Sequence, residues 1–234
     1  MIQVYPAASR FSNDHGWLKA NFSFSFAEYR DPDNMSFGPL RVFNDDYIQA
    51  QTGFGTHPHR DMEIITFVLK GQLQHKDNTG GEKVLTPGEV QRMTAGTGIL
   101  HSEINNSDEE TNSLQLWFLP NAKGLTPSYE QRAYDDQAAR NHLLPVVSGR
   151  MPDEDITFIH QDMTIYISRP DAGSKLEFVQ EAGRKIYVFV MEGEVTLNGE
   201  ATLGRRDAAR ITDVTRLELA AGSDAHIMLM DLPS

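Results

Sequence analysis

Short apolar runs separated by turn-forming residues make up most of this chain. Residues 22–26 alternate strictly between phenylalanine and serine, which predicts a strand with three aromatic rings on one face. Residues 63–69 and 114–119 are apolar runs that are followed by Gly71 and Pro120, and each run predicts a strand.

Three consecutive polar residues, Asn44-Asp45-Asp46, interrupt another apolar stretch. The residues on either side, 40–43 and 47–50, predict the two strands of a hairpin that turns at these polar residues. Residues 135–142 fit one short helix, and long amphipathic helices are scarce. The pattern as a whole predicts an all-β fold with few short helices, built as a barrel or a sandwich.

A weak internal repeat divides the chain into two halves. Residues 63–73 and 184–195 each combine an apolar strand, a glycine break and a second strand, and residues 116–120 resemble residues 229–233. Two domains of about 100 residues each fit a chain of 234 residues. We therefore predict one domain over residues 1–134 and a second over residues 135–234.

Composition and charge exclude several classes of function. The chain is 39% hydrophobic and 23% charged, as expected of a folded globular protein. Its net charge of −12 would repel nucleic acid and an anionic membrane, so we expect neither as a direct partner. It contains no cysteine, which excludes disulfides and thiolate metal sites. The first residues lack the pattern of a signal peptide, and we expect a cytoplasmic monomer.

A cluster of metal-binding residue types gives the strongest functional signal. His57 and His59 are two residues apart, so on a strand their side chains point to the same face. Glu63 lies four residues further along, and His101 with Glu103 repeats the two-residue spacing. Chance would produce both motifs in this order in on the order of one in two thousand such sequences. Imidazole and carboxylate ligands suit Fe, Mn, Ni, Cu or Zn.

The two motifs resemble those of the cupins. H-x-H-x-x-x-E begins at His57, G-x-x-H-x-x-x-N begins at Gly98, and a Pro87-Gly88 turn lies between them. Residues 53–63 and 93–103 are similar to the pirin family in particular, and the similarity extends over residues 15–132. This resemblance implies a bicupin of two stacked antiparallel β-barrels, in which the N-terminal domain binds one divalent metal and the C-terminal domain has lost its site.

The resemblance also implies a ligand set and an activity. Its metal ligands fall on His57, His59, His101 and Glu103. The implied cofactor is Fe(II), with Mn, Ni, Co, Cu or Zn as alternatives. Several pirins have quercetin 2,3-dioxygenase activity, so the expected partners are a small aromatic substrate and dioxygen.

Either Glu63 or Glu103 could be the fourth metal ligand. The general cupin pattern favours Glu63, and the pirin pattern favours Glu103. His59 and Glu63 would be roughly 13 Å apart on an extended strand, and His101 and Glu103 about 6.6 Å. Arg60 and Asp61 give no signal of a bulge. We therefore assign Glu103 to the metal and place Glu63 beside the ligands or facing substrate, with both carboxylates as catalytic candidates.

The remaining histidines give weaker signals. His75 is expected to be exposed at a strand end, with a position at the mouth of the cavity as the alternative. A structural role is the default for the others, which are His15, His142, His160 and His226. Between residues 178 and 233 the only histidine is His226, so the second domain cannot hold a second three-histidine site.

Two other functions remain open at this point. One is a non-catalytic, metal-binding regulatory protein that acts through protein partners. The other is a zinc cupin isomerase of sugar phosphates, which needs a basic phosphate clamp. Only Arg60 and Arg92 lie near the motifs in sequence and could supply that clamp.

Overall fold

The computed structural model describes residues 1–151 and 153–234, and β-strands dominate these residues. One turn of 3₁₀ helix spans Ala7–Ser9. The predicted all-β fold is confirmed, but the helix predicted over residues 135–142 is wrong, because turns and bends occupy this segment. No helix in the described part of the chain is long and apolar enough to cross a membrane.

The chain forms two compact units that are not consecutive pieces of sequence. The first module comprises Phe11–Tyr134 and Asp153–Gln161. The second module comprises Met1–Arg10, residues 135–151 and Asp162–Ser234. The predicted domain boundary after residue 134 remains a prediction. The compact units place residues 1–10 in the second module and residues 153–161 in the first.

The first module contains two sheets. One has the strand order β12-β9-β6-β11-β4-β3-β2 and the other has the order β5-β10-β7-β8. Leu18, Ile48 and Val68 of the longer sheet pack with Leu73 and Leu85 of the shorter one, so the two sheets pack face to face. The strands are β2 (Phe11–Asp14), β3 (Leu18–Phe22), β4 (Leu40–Ile48), β5 (Thr52–His59), β6 (Glu63–Lys70), β7 (Leu73–Asp77), β8 (Glu82–Leu85), β9 (Glu89–Thr94), β10 (Ile99–Asn105), β11 (Thr111–Phe118), β12 (Ser128–Ala133) and β14 (Thr157–Phe158).

The second module repeats this arrangement. Its larger sheet contains the order β1-β20-β17-β22-β15-β13, and its smaller sheet has the order β16-β21-β18-β19. Its strands are β1 (Ile2–Tyr5), β13 (Leu144–Ser148), β15 (Thr164–Ser168), β16 (Lys175–Val179), β17 (Lys185–Glu192), β18 (Val195–Leu197), β19 (Ala201–Leu203), β20 (Ala208–Ile211), β21 (Arg216–Ala221) and β22 (His226–Leu232).

The internal repeat read from the sequence corresponds to this shared topology. The central order β9-β6-β11-β4 of the first module matches β20-β17-β22-β15 of the second, and the two four-stranded sheets match strand for strand. The first half of the repeat, residues 63–73, contains β6, and the second half, residues 184–195, contains β17.

The hairpin predicted around residues 44–46 is wrong, because β4 runs without a break from Leu40 to Ile48. It is a central strand that pairs with β3 on one side and β11 on the other. Asp45, which suggested a turn, accepts a hydrogen bond at Oδ1 from Nδ2 of Asn112 at 2.8 Å. Tertiary pairing thus overrides the local turn preference of the three polar residues.

The strand predicted over residues 22–26 is also wrong, because only Phe22 of this segment lies in a strand. Strand β3 ends at Phe22, and Ser25 then exchanges hydrogen bonds with the backbone of Asp31, at 2.7 and 2.8 Å. Phe26 turns back so that its ring meets that of Phe22 edge-on, with centroids 5.3 Å apart. The aromatic residues therefore still reach the interior of the first module.

Candidate functional site

The structure brings the three predicted histidines together. His57 and His59 lie on β5, and His101 lies directly opposite His57 on the antiparallel strand β10. Ring nitrogens of all three residues lie within 4.8 Å of one another. The two-residue period of β5 and the pairing of β5 with β10 are sufficient to produce this cluster.

The distances within the cluster suit a common metal ion. Nε2 of His101 lies 3.0 Å from Nε2 of His57. Two imidazole nitrogens that each bind one ion at about 2.1 Å, at a right angle, are about 3.0 Å apart. Nδ1 of His57 lies 2.8 Å from the carbonyl oxygen of Gly55 and can donate to it, which leaves Nε2 as the ligand atom.

Burial lowers the pKa of two of the three histidines. Desolvation, followed by the neighbouring imidazoles of His101 and His57, lowers the pKa of His59 to about 4. Desolvation, followed by His57 and His75, lowers the pKa of His101 to about 3. A metal binds the neutral imidazole, so both groups are in the ligand form at neutral pH.

A buried polar network lies behind His101. Nδ1 of His75 is 3.5 Å from Nδ1 of His101 and 3.0 Å from Nε2 of Gln91. On its other side, Nε2 of His75 donates to Oδ2 of Asp77 at 2.8 Å. The expectation that His75 is an exposed strand-end residue is wrong, because it is fully buried within the first module. Its Nδ1 accepts the shorter hydrogen bond from Gln91 and can share it with the more distant Nδ1–H of His101, which would leave His101 Nε2 directed at the cluster.

Glu103 follows His101 on β10, after a bulge that interrupts the pairing with β5. Its Oε2 accepts a hydrogen bond from Nε2 of Gln115 at 2.7 Å, and Oε1 of Gln115 in turn accepts one from Nε1 of Trp117 at 3.1 Å. Its Oε1 is buried and has no hydrogen-bond partner among the described residues. Glu103 is not part of the 4.8 Å histidine group, but one of its oxygens remains free for a ligand.

Glu63 lies in a different sheet from the histidines. Strand β5 ends at His59, the chain turns at Asp61 with φ 47°, and β6 begins at Glu63. The expectation of a straight segment without a bulge signal is therefore wrong. Oε2 of Glu63 accepts a hydrogen bond from the backbone N–H of His160 at 3.1 Å. The catalytic role predicted for Glu63 remains a prediction, and this position gives it no support.

An aromatic cavity of about 360 Å³ adjoins the histidine cluster, between the two sheets of the first module. This volume falls within the range of about 300–1,000 Å³ that is usual for small-molecule sites. Apolar side chains provide most of the exposed lining, although half of the sixteen lining residues are polar. The aromatic lining residues are Trp17, Phe22, Phe26, Phe54 and Trp117, and the polar ones include His15, Glu28, Asn44, Asp46, His57, His59, Glu103 and Gln115.

The sequence analysis missed Asn44, Asp46 and Gln115 as cavity residues. The local pattern at Asn44 and Asp46 predicts a turn, and Gln115 lies within an apolar run. The signal that could have identified the first two is their spacing of two, which puts both on one face if residues 40–48 form one strand.

The two arginines proposed as a phosphate clamp do not form one. Nη2 of Arg92 pairs with Oε2 of Glu130 at 3.0 Å, and Nε of Arg92 donates to the carbonyl oxygen of Phe158. Arg60 is exposed, and neither arginine lines the aromatic cavity. The first module therefore offers no basic anion site at this cavity, which disfavours a sugar-phosphate isomerase.

The second module has no equivalent cluster among its described residues, because the histidine group above is the only set of three potential ligands found in the described part of the chain. Its buried histidine, His226, stands at the start of β22. Desolvation, followed by the charge of Arg169, lowers its pKa to about 4. The lowered pKa favours the neutral form of this single buried histidine.

Comparisons with known proteins agree with this division. Residues 4–118 match the family described as Pirin, and residues 145–232 match the family described as Quercetinase C-terminal cupin domain. A protein of Escherichia coli (strain K12) named quercetin 2,3-dioxygenase is 42% identical over 236 residues, which covers 100% of this chain and 99% of that protein. A pirin-like protein of Caulobacter vibrioides is 39% identical over 231 residues, or 99% of each chain.

A solved structure extends the likeness to the fold. The crystal structure of the bacterial pirin YhhW from Escherichia coli in complex with nickel(II) superposes with a TM-score of 0.94 at 40% identity. The match covers 100% of this chain and 99% of that one. Similarity of this extent over both modules shows that this chain belongs to the pirin family and has its bicupin fold.

Proposed function

We propose that this protein is a metal-dependent dioxygenase that acts on a flavonoid or a related polyhydroxylated aromatic compound. The observation that carries the proposal is the opening of the histidine cluster into an aromatic cavity of small-molecule size. The name of the Escherichia coli relative, which matches along the whole chain, supports the same reaction class.

The donor set fits one divalent cation. His57, His59 and His101 would supply three imidazole nitrogens, and Glu103 would supply its unpartnered Oε1 as the fourth ligand. Such a set suits Fe, Mn, Co, Ni, Cu or Zn, and we propose Fe(II) by analogy with the family. When bound, a redox-active ion lowers the pKa of a substrate hydroxyl and mediates electron transfer from the aromatic ring to dioxygen.

The residues of the cavity would hold a planar ring beside the cluster. The ring of Trp117 meets His59 edge-on at 4.7 Å and Phe26 edge-on at 5.3 Å, so an aromatic wall adjoins the histidines. This apolar wall would exclude water and favour an aromatic ligand. Oε1 of Glu103 is also the candidate to accept the proton of the substrate hydroxyl, but only when it does not ligate the ion; Gln115 would hold the carboxylate in place through Oε2 at 2.7 Å.

The test combines metal analysis with oxygen consumption. Protein purified without oxygen should contain one tightly bound metal per chain, and the iron-loaded form should consume oxygen with flavonoids or catechols. The zinc-loaded form should turn over poorly because zinc does not change its oxidation state. His101→Ala should weaken metal binding more than about a hundredfold, beyond the range for losses of supporting residues.

His142→Ala is the matched control, because His142 is an exposed histidine outside the cluster and should keep both metal and activity. Two tightly bound metals per chain would contradict the single-site proposal. If no flavonoid or catechol supports oxygen consumption and a protein partner is recovered, the non-catalytic regulatory function is favoured instead.

A further inference from the structure

Two polar side chains of β4 line the aromatic cavity and are not needed for the histidine cluster. Asn44 and Asp46 are two residues apart on a central strand, so they share the face that looks into the cavity. They are only 3% and 4% exposed. Asp45, between them, faces the other way and binds Asn112.

Both side chains carry an unsatisfied atom. Oδ1 of Asn44 and Oδ1 of Asp46 are buried and have no hydrogen-bond partner among the described residues. A buried polar atom without a partner is unfavourable, and native structures contain few of them. Two such atoms on one wall of one cavity are accounted for if a ligand supplies the missing partners.

The chemistry of the two groups defines what they could bind. Burial, followed by the charges of Asp45 and Glu103, raises the pKa of Asp46 well above its ordinary value. The carboxyl group therefore favours its neutral form, which can both donate and accept a hydrogen bond, as the amide of Asn44 also can. A neutral hydroxyl or ring carbonyl group of a ligand fits this pair better than a charged group does.

We propose that Asn44 and Asp46 form a recognition subsite for a second polar group of the aromatic substrate, other than the group that meets the histidines. This inference rests on the proposed function and adds a selection rule to it. Aromatic compounds with hydroxyl or carbonyl groups at two separate positions should bind in preference to compounds that carry a polar group at one position only.

The two tryptophans of the chain provide a binding signal that does not depend on catalysis. Trp17 and Trp117 both line the cavity, so a ligand that enters it should quench the fluorescence of the protein. Binding is measured on metal-loaded protein without oxygen, with quercetin and with 3-hydroxyflavone. The second probe keeps the flavonol group and lacks the other hydroxyls.

The wild-type protein should bind quercetin at least about tenfold more tightly than 3-hydroxyflavone, the scale of one hydrogen bond. Asp46→Leu and Asn44→Leu should each weaken quercetin binding about tenfold and change 3-hydroxyflavone binding less than about threefold. Asp46→Asn, which keeps a neutral donor and acceptor, should retain quercetin affinity within about threefold. The melting temperature of Asp46→Leu should equal or exceed that of the wild type, because the change removes an unpaired buried atom.

Thr66→Val is the matched control. Thr66 is buried in β6 of the same sheet with an unpartnered Oγ1, but it does not line the cavity, so both affinities should stay unchanged. If Asp46→Leu does not fold, Asn44→Leu carries the same test. Equal losses for the two probes, or no loss, would overturn the subsite while leaving the proposed function intact. Failure of the wild-type protein to bind either flavonoid would overturn both proposals.

Discussion

The two modules share a strand order and differ in what their inward positions carry. In the first module, β5 and β10 bring His57 and His101 face to face beside a cavity. In the second module, the corresponding strands β16 and β21 bring leucine and phenylalanine into one apolar cluster. The residues concerned are Leu176, Phe178, Leu217 and Leu219. The same fold therefore carries a candidate binding site in one copy and a packed core in the other.

The two modules therefore differ in what their interiors contribute: stability in the second module and a candidate site for chemistry in the first. The apolar cluster of the second module gains free energy from the burial of its aliphatic and aromatic side chains. The first module keeps unpaired buried oxygens on Asn44, Asp46 and Glu103, which lower its stability and leave room for ligands. Substitutions in the two interiors should accordingly have different consequences.

The largest effect on stability should come from the packed core. Leu219 is 1% exposed, and Leu219→Ala should lower the free energy of unfolding by about 2–5 kcal/mol. Urea unfolding followed by circular dichroism measures this loss. The folded variant should keep its metal affinity, because Leu219 belongs to the module without the histidine cluster.

Val179→Ala is the control for that experiment, since Val179 lies on β16 of the same module but is 60% exposed. It should change stability by less than about 0.5 kcal/mol. If folded Leu219→Ala lost metal as severely as His101→Ala, the idea that metal binding depends only on the first module would be contradicted.

The two carboxylates test which residues of the first module belong to the metal centre. Glu103→Ala should weaken metal binding by at least about tenfold, because it removes the carboxylate that shares the cavity with the histidines. Glu63→Ala should change metal binding by less than about threefold. Glu63 lies in the sheet that does not carry the histidine cluster, and it binds the backbone N–H of His160. Competition with a chelator measures both affinities, and the reverse order would make Glu63 the ligand.

The smallest effect concerns the network behind His101. His75→Phe removes the nitrogen that faces Nδ1 of His101 and should weaken metal binding about tenfold, the lower end for supporting residues. Tyr129→Phe keeps the ring that stacks on His75 at 4.5 Å and should leave the affinity within about threefold. The same chelator competition applies, and equal effects of the two variants would argue against an orienting role for His75.

Sequence reasoning located the histidines because strand geometry is local. Two residues on one strand face the same way whatever surrounds them, so His57 and His59 could be placed together before the fold was known. Their meeting with His101 required only that two strands pair. The strands β6 and β11 were also predictable, because each contains a mostly apolar run that is followed by a glycine or a proline.

The errors arose where tertiary contacts override local preference. Residues 44–46 have the composition of a turn, yet pairing with β3 and β11 holds them in a strand. His75 is a polar residue near a strand end, yet Asp77 and Gln91 satisfy both of its nitrogens in the interior. Asp61 adopts a positive φ that its identity does not require, and this turn separates Glu63 from the histidines. Of these locally misleading residues, Asn44 and Asp46 line the cavity, as expected near a functional site.

The pairing of β1 with β20 places a constraint on the order in which the chain can assemble during synthesis. Ile2 pairs with Ile211, so the first strand must wait for a partner that lies about two hundred residues downstream. At translation rates of about 5–20 residues per second, this delay is roughly 10–40 s. The first module, by contrast, has all its segments once Gln161 has left the ribosome. The module that carries the histidine cluster can therefore be complete while the second module is still being made.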